Sequence, residues 1–159
     1  NGLHTNGYSL ARKIFFKDMG YDVDTYLEGL NNTVGAALLE PHINYTNHVF
    51  KLLNEKININ GIAHITGGGL TENIPRILPN GCSVKIQKGA WPSLPIFDTI
   101  KNLGNVKEEE MYQAFNMGIG MVFIVDSDSV NSIEKALKNI TNIYTIGEVI
   151  EGENIVHYN

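Results

Sequence analysis

GIAHITGGGLTENIPRILP, residues 61–79, sets three consecutive glycines between a short apolar run and a polar segment. Residues 62–65 have the length and composition of a short buried strand, preceded by an Asn60-Gly61 turn. Residues 70–78 carry the spacing of a short helix, and Pro75 must lie in a first turn or kink it. Gly67, Gly68 and Gly69 fall where strand hands over to helix. Glycine loses more backbone freedom on folding than any other residue, so three in a row need a reason. Two present themselves: a tight structural turn, or a backbone left bare for a ligand.

Working outward, Val84 and Ile86 alternate with polar neighbours, as in a half-buried strand, and complete a strand–helix–strand unit over residues 62–86. A second unit spans residues 119–150. GIGMVFIV, residues 118–125, reads as a central strand covered on both sides. Asp126 and Ser127 are capping residues for a helix whose Val130, Ile133, Leu137 and Ile140 share a face, and a final strand covers residues 144–150. Right-handed crossovers in both units predict an α+β fold: a mixed sheet of the ferredoxin-like type, with helices packed on its faces. Further helices are expected after Thr5 and Asn6 as N-caps, from Pro41 with Tyr45, Val49 and Leu52 as its buried stripe, over residues 95–103, and over residues 107–115. Residues 21–35 read as irregular, with an exposed turn at Asn31-Asn32. With no linker or repeat, residues 1–159 are expected to form one domain.

A net charge of −5 argues against a general nucleic-acid binder, whose affinity comes from clustered Lys and Arg. The single cysteine, Cys82, excludes an intrachain disulfide. No apolar run has the length of a membrane span, and the expectation is a cytoplasmic protein without membrane partners. The chain opens on NGLHTNGYSL without an initiator Met, as expected of a piece of a longer protein.

Several residues are chemically eligible. A strand ending in Thr66-Gly67-Gly68-Gly69 can turn backbone N–H groups towards one anion, with the Thr66 hydroxyl and the Arg76 guanidinium as further donors. No Gly-Lys-Ser/Thr follows, and the G-x-G-x-x-G pattern is absent, so neither common nucleotide loop is present. Phosphate binding and a structural turn both remain open. His64 is either a core histidine or a ligand. His4, Thr5, Asn6 and Ser9 set a titratable ring among neutral donors, or else simply cap a helix. His42, His48 and His157 lack metal-ligand spacing, so no metal site is expected. In FNMGIGM, residues 115–121, Gly118 and Gly120 weaken a strand unless a helix or a ligand comes close.

GLHTNGYSLARK, GIAHITGGGLTENIPRILP, KGAWP, GNVKEEEMYQAFNMGIGM and IGEVIEGE occur in this order. Together they resemble the C-terminal domain of the phosphoribosylformylglycinamidine cyclo-ligase family, the aminoimidazole ribonucleotide synthetases, over essentially the whole chain. The resemblance implies an enzyme of purine biosynthesis that uses ATP to close the imidazole ring of formylglycinamidine ribonucleotide. It implies a homodimer in which an N-terminal domain, absent from this chain, holds most of the ATP and Mg2+. It places His4, Thr5 and Asn6 at the interdomain cleft, with His4 and Asn6 as the catalytic candidates. The Thr66–Gly69 turn becomes a phosphate cradle, with His64, Asn73 and Arg76 around it. The alternatives are another synthetase of the same superfamily, or a non-catalytic module that senses a phosphorylated ligand. Two departures stand out. The family's Pro-Thr-Arg-Ile-Tyr is here Pro41-His42-Ile43-Asn44-Tyr45, and its Met-Tyr-Arg is Met111-Tyr112-Gln113, so arginines are missing at positions 43 and 113.

Overall fold

The computed structural model describes residues 2–159. The α+β class holds. The chain divides into two compact units: Asn1–His42, Ile65–Asn73 and Pro92–Gly120 form the first, and Ile43–His64, Ile74–Trp91 and Met121–Asn159 the second.

In the first unit, α1 (Tyr8–Arg12) runs directly into a π-helical stretch, Lys13–Asp18. There the Met19 N–H donates to the Ile14 carbonyl at 3.0 Å, five residues back. The wider turn accompanies the burial of two adjacent residues, Ile14 and Phe15. Thr5 and Asn6 do not cap this helix: Gly7 occupies the N-cap position, and the Thr5 hydroxyl donates to its own neighbour, the His4 carbonyl. The stretch expected to be irregular contains two short strands, β1 (Tyr26–Leu27) and β2 (Asn32–Thr33), paired antiparallel, with Asn31 in a left-handed turn between them. Thr33 then caps α2 (Val34–Leu38), accepting the Ala36 N–H at 3.2 Å.

Helices α4 (Gly69–Asn73), α5 (Pro95–Gly104) and α6 (Glu108–Ala114) complete the unit. Pro95 stands in the first turn of α5, where a missing N–H costs nothing, and Asn105 ends the helix in the left-handed conformation. Three glutamates open α6, matching its dipole. The periodic faces of α5 and α6 bury Ile96, Phe97, Ile100 and Met111 around the Phe15 and Phe115 rings. Phe97 and Phe115 meet at 6.0 Å between centroids, tilted by 60°.

The second unit holds α3 (Thr46–Asn54), β3 (Gly61–His64), β4 (Cys82–Ile86), β5 (Met121–Ile124), α7 (Val130–Leu137), β6 (Gly147–Glu151) and β7 (Val156–Tyr158). The mixed sheets expected for the α+β class are present, and the strand pairing sets their order. β3 does not pair with β4, nor β5 with β6. Instead β3 pairs antiparallel with β5, from Gly61↔Ile124 to His64↔Met121. β4 lies between antiparallel β6 and parallel β7, in a separate three-stranded mixed sheet. The strand expected over residues 118–125 shortens to four half-buried residues, because Met117 and Gly118 are held in a left-handed turn before it.

The helix expected from Pro41 starts at Thr46, whose N–H is taken by the Asn44 side chain at 2.9 Å. Asp126 does not cap α7. Its carboxylate accepts from Asn60 Nδ2 at 2.9 Å, and a 3-10 turn, Ser127–Ser129, intervenes. Pro75 ends α4 and begins a 3-10 turn, Pro75–Ile77. Leu52, Ile133 and Leu137 bury the contact of α3 with α7. No helix among the described residues is long and apolar enough to cross a membrane.

Phe97→Ala removes one ring of the Phe97–Phe115 pair. It is expected to cost about 3–5 kcal/mol, read as a lowered urea midpoint at unchanged slope.

Candidate functional site

The end of α6 organises the first unit. Tyr112, Phe115 and Asn116 are all buried, and between them they meet both segments of the candidate site. A side chain on Gly69 would overlap the main-chain carbonyls of Tyr112 and Phe115, and Gly69 has φ +58. The overlap with fixed main-chain atoms makes any side chain there costly, and the left-handed φ adds to that cost. The Thr71 hydroxyl donates to the Tyr112 carbonyl at 3.1 Å. The Phe115 ring fills the space a side chain on Gly7 would need. Asn116, 0% exposed, donates to the Gly2 carbonyl at 2.8 Å, and its own amide oxygen accepts the Gly118 N–H at 2.7 Å. Residues 4–6 and 66–69, some sixty positions apart in the sequence, are thus seated on one helix end.

The glycine turn is clamped from inside. Asn73 is buried; its Nδ2 donates to the Gly67 and Gly69 carbonyls at 3.0 and 2.8 Å, and its Oδ1 accepts from the Thr66 hydroxyl at 3.0 Å. Both ends of the Asn73 amide hold the turn in shape. Gly68 lies beneath the Glu72 side chain, whereas Gly67 faces open space. Gly69 is therefore required by close packing and Gly68 by its φ of +91, and Gly67 alone is left bare.

The other segment is strained. His4 has φ +52 and Thr5 φ +59. The left-handed region costs a non-glycine residue about 1–3 kcal/mol, and a β-branched threonine belongs there least. Asn6 is buried at 9% exposure, and its Nδ2 has no hydrogen-bond acceptor among the described residues. A buried donor left unmet costs about 1–3 kcal/mol. Strain and an unmet donor on adjacent residues are features that a fold retains for a use.

His4 is buried at 4% exposure, and the His42 ring stacks on it, centroids 4.4 Å apart and planes within 9°. The Thr5 hydroxyl lies 3.5 Å from His42 Nε2. Spacing along the chain gave no signal of this contact. Nor did it mark Asn116, whose role depends on where α6 ends.

The remaining candidates, His64 and Arg76, belong to the second unit. His64 lies on β3, exposed rather than in the core, with its ring edge-on to Tyr45 at 6.3 Å. Tyr45 also meets His48 at 5.4 Å, and burial pushes the Tyr45 phenol up to about 12. Arg76 is exposed on the 3-10 turn. Among the described residues no three His, Cys, Asp or Glu side chains converge as metal ligands.

Residues 1–158 match the family model described as AIR synthase related protein, C-terminal domain. The chain belongs to this family. It is 48% identical over 157 residues to a phosphoribosylformylglycinamidine cyclo-ligase of Caldanaerobacter subterraneus, covering 96% of this chain and 45% of that protein. It is 46% identical over 154 residues to one of Geotalea uraniireducens, covering 96% and 44%. A third, of Geobacillus thermodenitrificans, is 45% identical over 156 residues, covering 98% and 45%. The chain spans less than half the length of these curated relatives.

Two predictions follow the local geometry. Gly69→Ala, which meets main-chain carbonyls, is expected to lower stability by more than about 1 kcal/mol, whereas Gly67→Ala stays within about 1 kcal/mol of the parent in urea unfolding. Tyr45 keeps its proton in the folded chain above pH 10, where an unfolded tyrosine loses it. Stability is therefore undiminished by this group below pH 10 and falls as pH rises towards about 12. Ultraviolet titration should show a late-ionising phenol that disappears in Tyr45→Phe.

Proposed function

We propose that this chain is the C-terminal part of an ATP-dependent cyclo-ligase. The enzyme would convert formylglycinamidine ribonucleotide to aminoimidazole ribonucleotide, ADP and phosphate, in the cytoplasm. The observation that carries this reading is the agreement with relatives of that name along nearly the whole chain. The remainder of the protein would supply most of the contacts to ATP, and the working form would be a homodimer. That remainder would also hold most of the Mg2+.

The chemistry asks two things of these residues. Phosphoryl transfer from ATP turns the formamide oxygen into a leaving group; an amidine-side nitrogen attacks the activated carbon, and phosphate departs. Amide activation needs a donor aimed at the oxygen, and ring closure needs a group that takes a proton from nitrogen. The Asn6 Nδ2, buried with its hydrogen-bonding capacity unspent among the described residues, fits the first need. The His4 imidazole on the adjacent strained residue fits the second. Thr5 adds a hydroxyl at the same turn.

The Thr66–Gly69 turn offers its uncovered Gly67 edge to a phosphate of the ribonucleotide or of ATP. Asn73 acts by holding the turn. With arginines absent at positions 43 and 113, phosphate affinity leans more on this backbone.

In the full-length enzyme, His4→Ala is expected to lower kcat by at least about 100-fold, the usual share of one acid–base group. Asn6→Leu replaces an unmet donor by an apolar side chain of similar shape. It should change stability by no more than about 1 kcal/mol while lowering kcat/KM at least about tenfold. Wild-type turnover in both variants, measured as substrate-dependent ADP release, would remove the assignment.

A further inference from the structure

We propose that His42 is a positioning residue, an aromatic brace that fixes the plane of the His4 imidazole; this rests on the reading of His4 as the proton-handling group. The two rings lie 4.4 Å apart and within 9° of parallel, although 38 positions separate them. The brace is attached at a second point, since His42 Nε2 lies 3.5 Å from the Thr5 hydroxyl. That hydroxyl is itself committed to the His4 carbonyl at 2.6 Å. Ring, hydroxyl and carbonyl thus tie His42 to both residues of the left-handed turn.

An imidazole that moves a proton needs one ring nitrogen held in line with the reacting atom, within a few tenths of an ångström. The last bond of a histidine side chain has broad, roughly two-fold torsional preferences, so backbone position alone does not set the ring plane. A flat ring laid parallel on it removes that freedom, because rotation out of plane drives the two π faces into each other. His42 is exposed while the His4 ring beneath it is buried, so the brace closes over the turn from its outer side.

The requirement placed on position 42 is flatness rather than charge. Threonine, which stands here in the family pattern that this chain departs from, supplies no ring. Residues 40–45 lie outside any helix or strand, and Pro41 is the residue just before the brace. Proline's fixed φ limits the paths by which the segment delivers its ring.

The test uses the full-length enzyme with formylglycinamidine ribonucleotide and saturating ATP. His42→Ala and His42→Thr are expected to lower kcat about 5- to 20-fold, with KM for the ribonucleotide within about twofold, as loss of orientation without loss of binding requires. His42→Phe, which keeps a flat ring, should hold kcat within about twofold of the parent. Because His42 is exposed, the thermal midpoint should stay within about 2 °C throughout. Equal losses in the alanine and phenylalanine variants, or a fall in kcat that tracks a fall in midpoint, overturn the brace. A harmless His42→Ala beside a damaging His4→Ala overturns the brace and leaves the His4 reading standing. A harmless His4→Ala overturns both.

Discussion

The last turn of α6 is the constraint on which the first unit is built. Two carbonyls there, of Tyr112 and Phe115, come so close to the chain that a side chain at position 69 would overlap them. The next residue, Asn116, spends its buried amide on the incoming Gly2 carbonyl and on the N–H of Gly118. A helix end leaves carbonyls without intrahelical partners, and here one of them seats another segment. The Thr71 hydroxyl donates to it directly. Deleting any of these contacts exposes a buried polar group, which is why a few atoms control so much geometry.

Seated this way, the two candidate segments differ in how they hold their shape. The glycine turn is relaxed: Gly68 and Gly69 adopt conformations natural to glycine, and Asn73 satisfies the carbonyls from below. The His4–Asn6 turn is not. Two successive non-glycine residues are left-handed, and a buried amide donor lies unmatched among the described residues. Natural sequences are locally consistent almost everywhere, so a cluster of inconsistencies is where a functional site is to be sought. Preorganisation explains the arrangement in physical terms. A donor already desolvated gives up no hydration when an acceptor arrives, whereas one in water must first shed its own.

Residues whose role follows from local spacing were readable in advance. The apolar stripe of α5 with Pro95 in its first turn, the acidic start of α6, the alternation at Val84 and Ile86, and the short apolar run before the glycines all specify their elements through contacts within a few residues. The order of five motifs pointed to the family, and His4, Asn6 and Thr66–Gly69 were candidates because their residue types suit the chemistry. The π-helical step at Lys13–Asp18 was not readable, because it answers the need to bury Ile14 and Phe15 together. Nor was the start of α3, where the side chain of Asn44 competes with the backbone and delays the helix.

By itself, then, the sequence determined the class of the fold, the family, and which residue types are available for acid–base and phosphate chemistry. Hydrophobic period, caps and motif order are local quantities, and the chain carries them without folding. Only the tertiary structure decided that β3 pairs with β5 and β4 with β6 and β7, since pairing depends on which strands packing brings together. It decided that one helix end seats both candidate segments. It also decided that His42, without signal in the spacing, lies flat on His4. Contacts between distant residues are set by how buried surfaces fit, and that is a property of the folded chain.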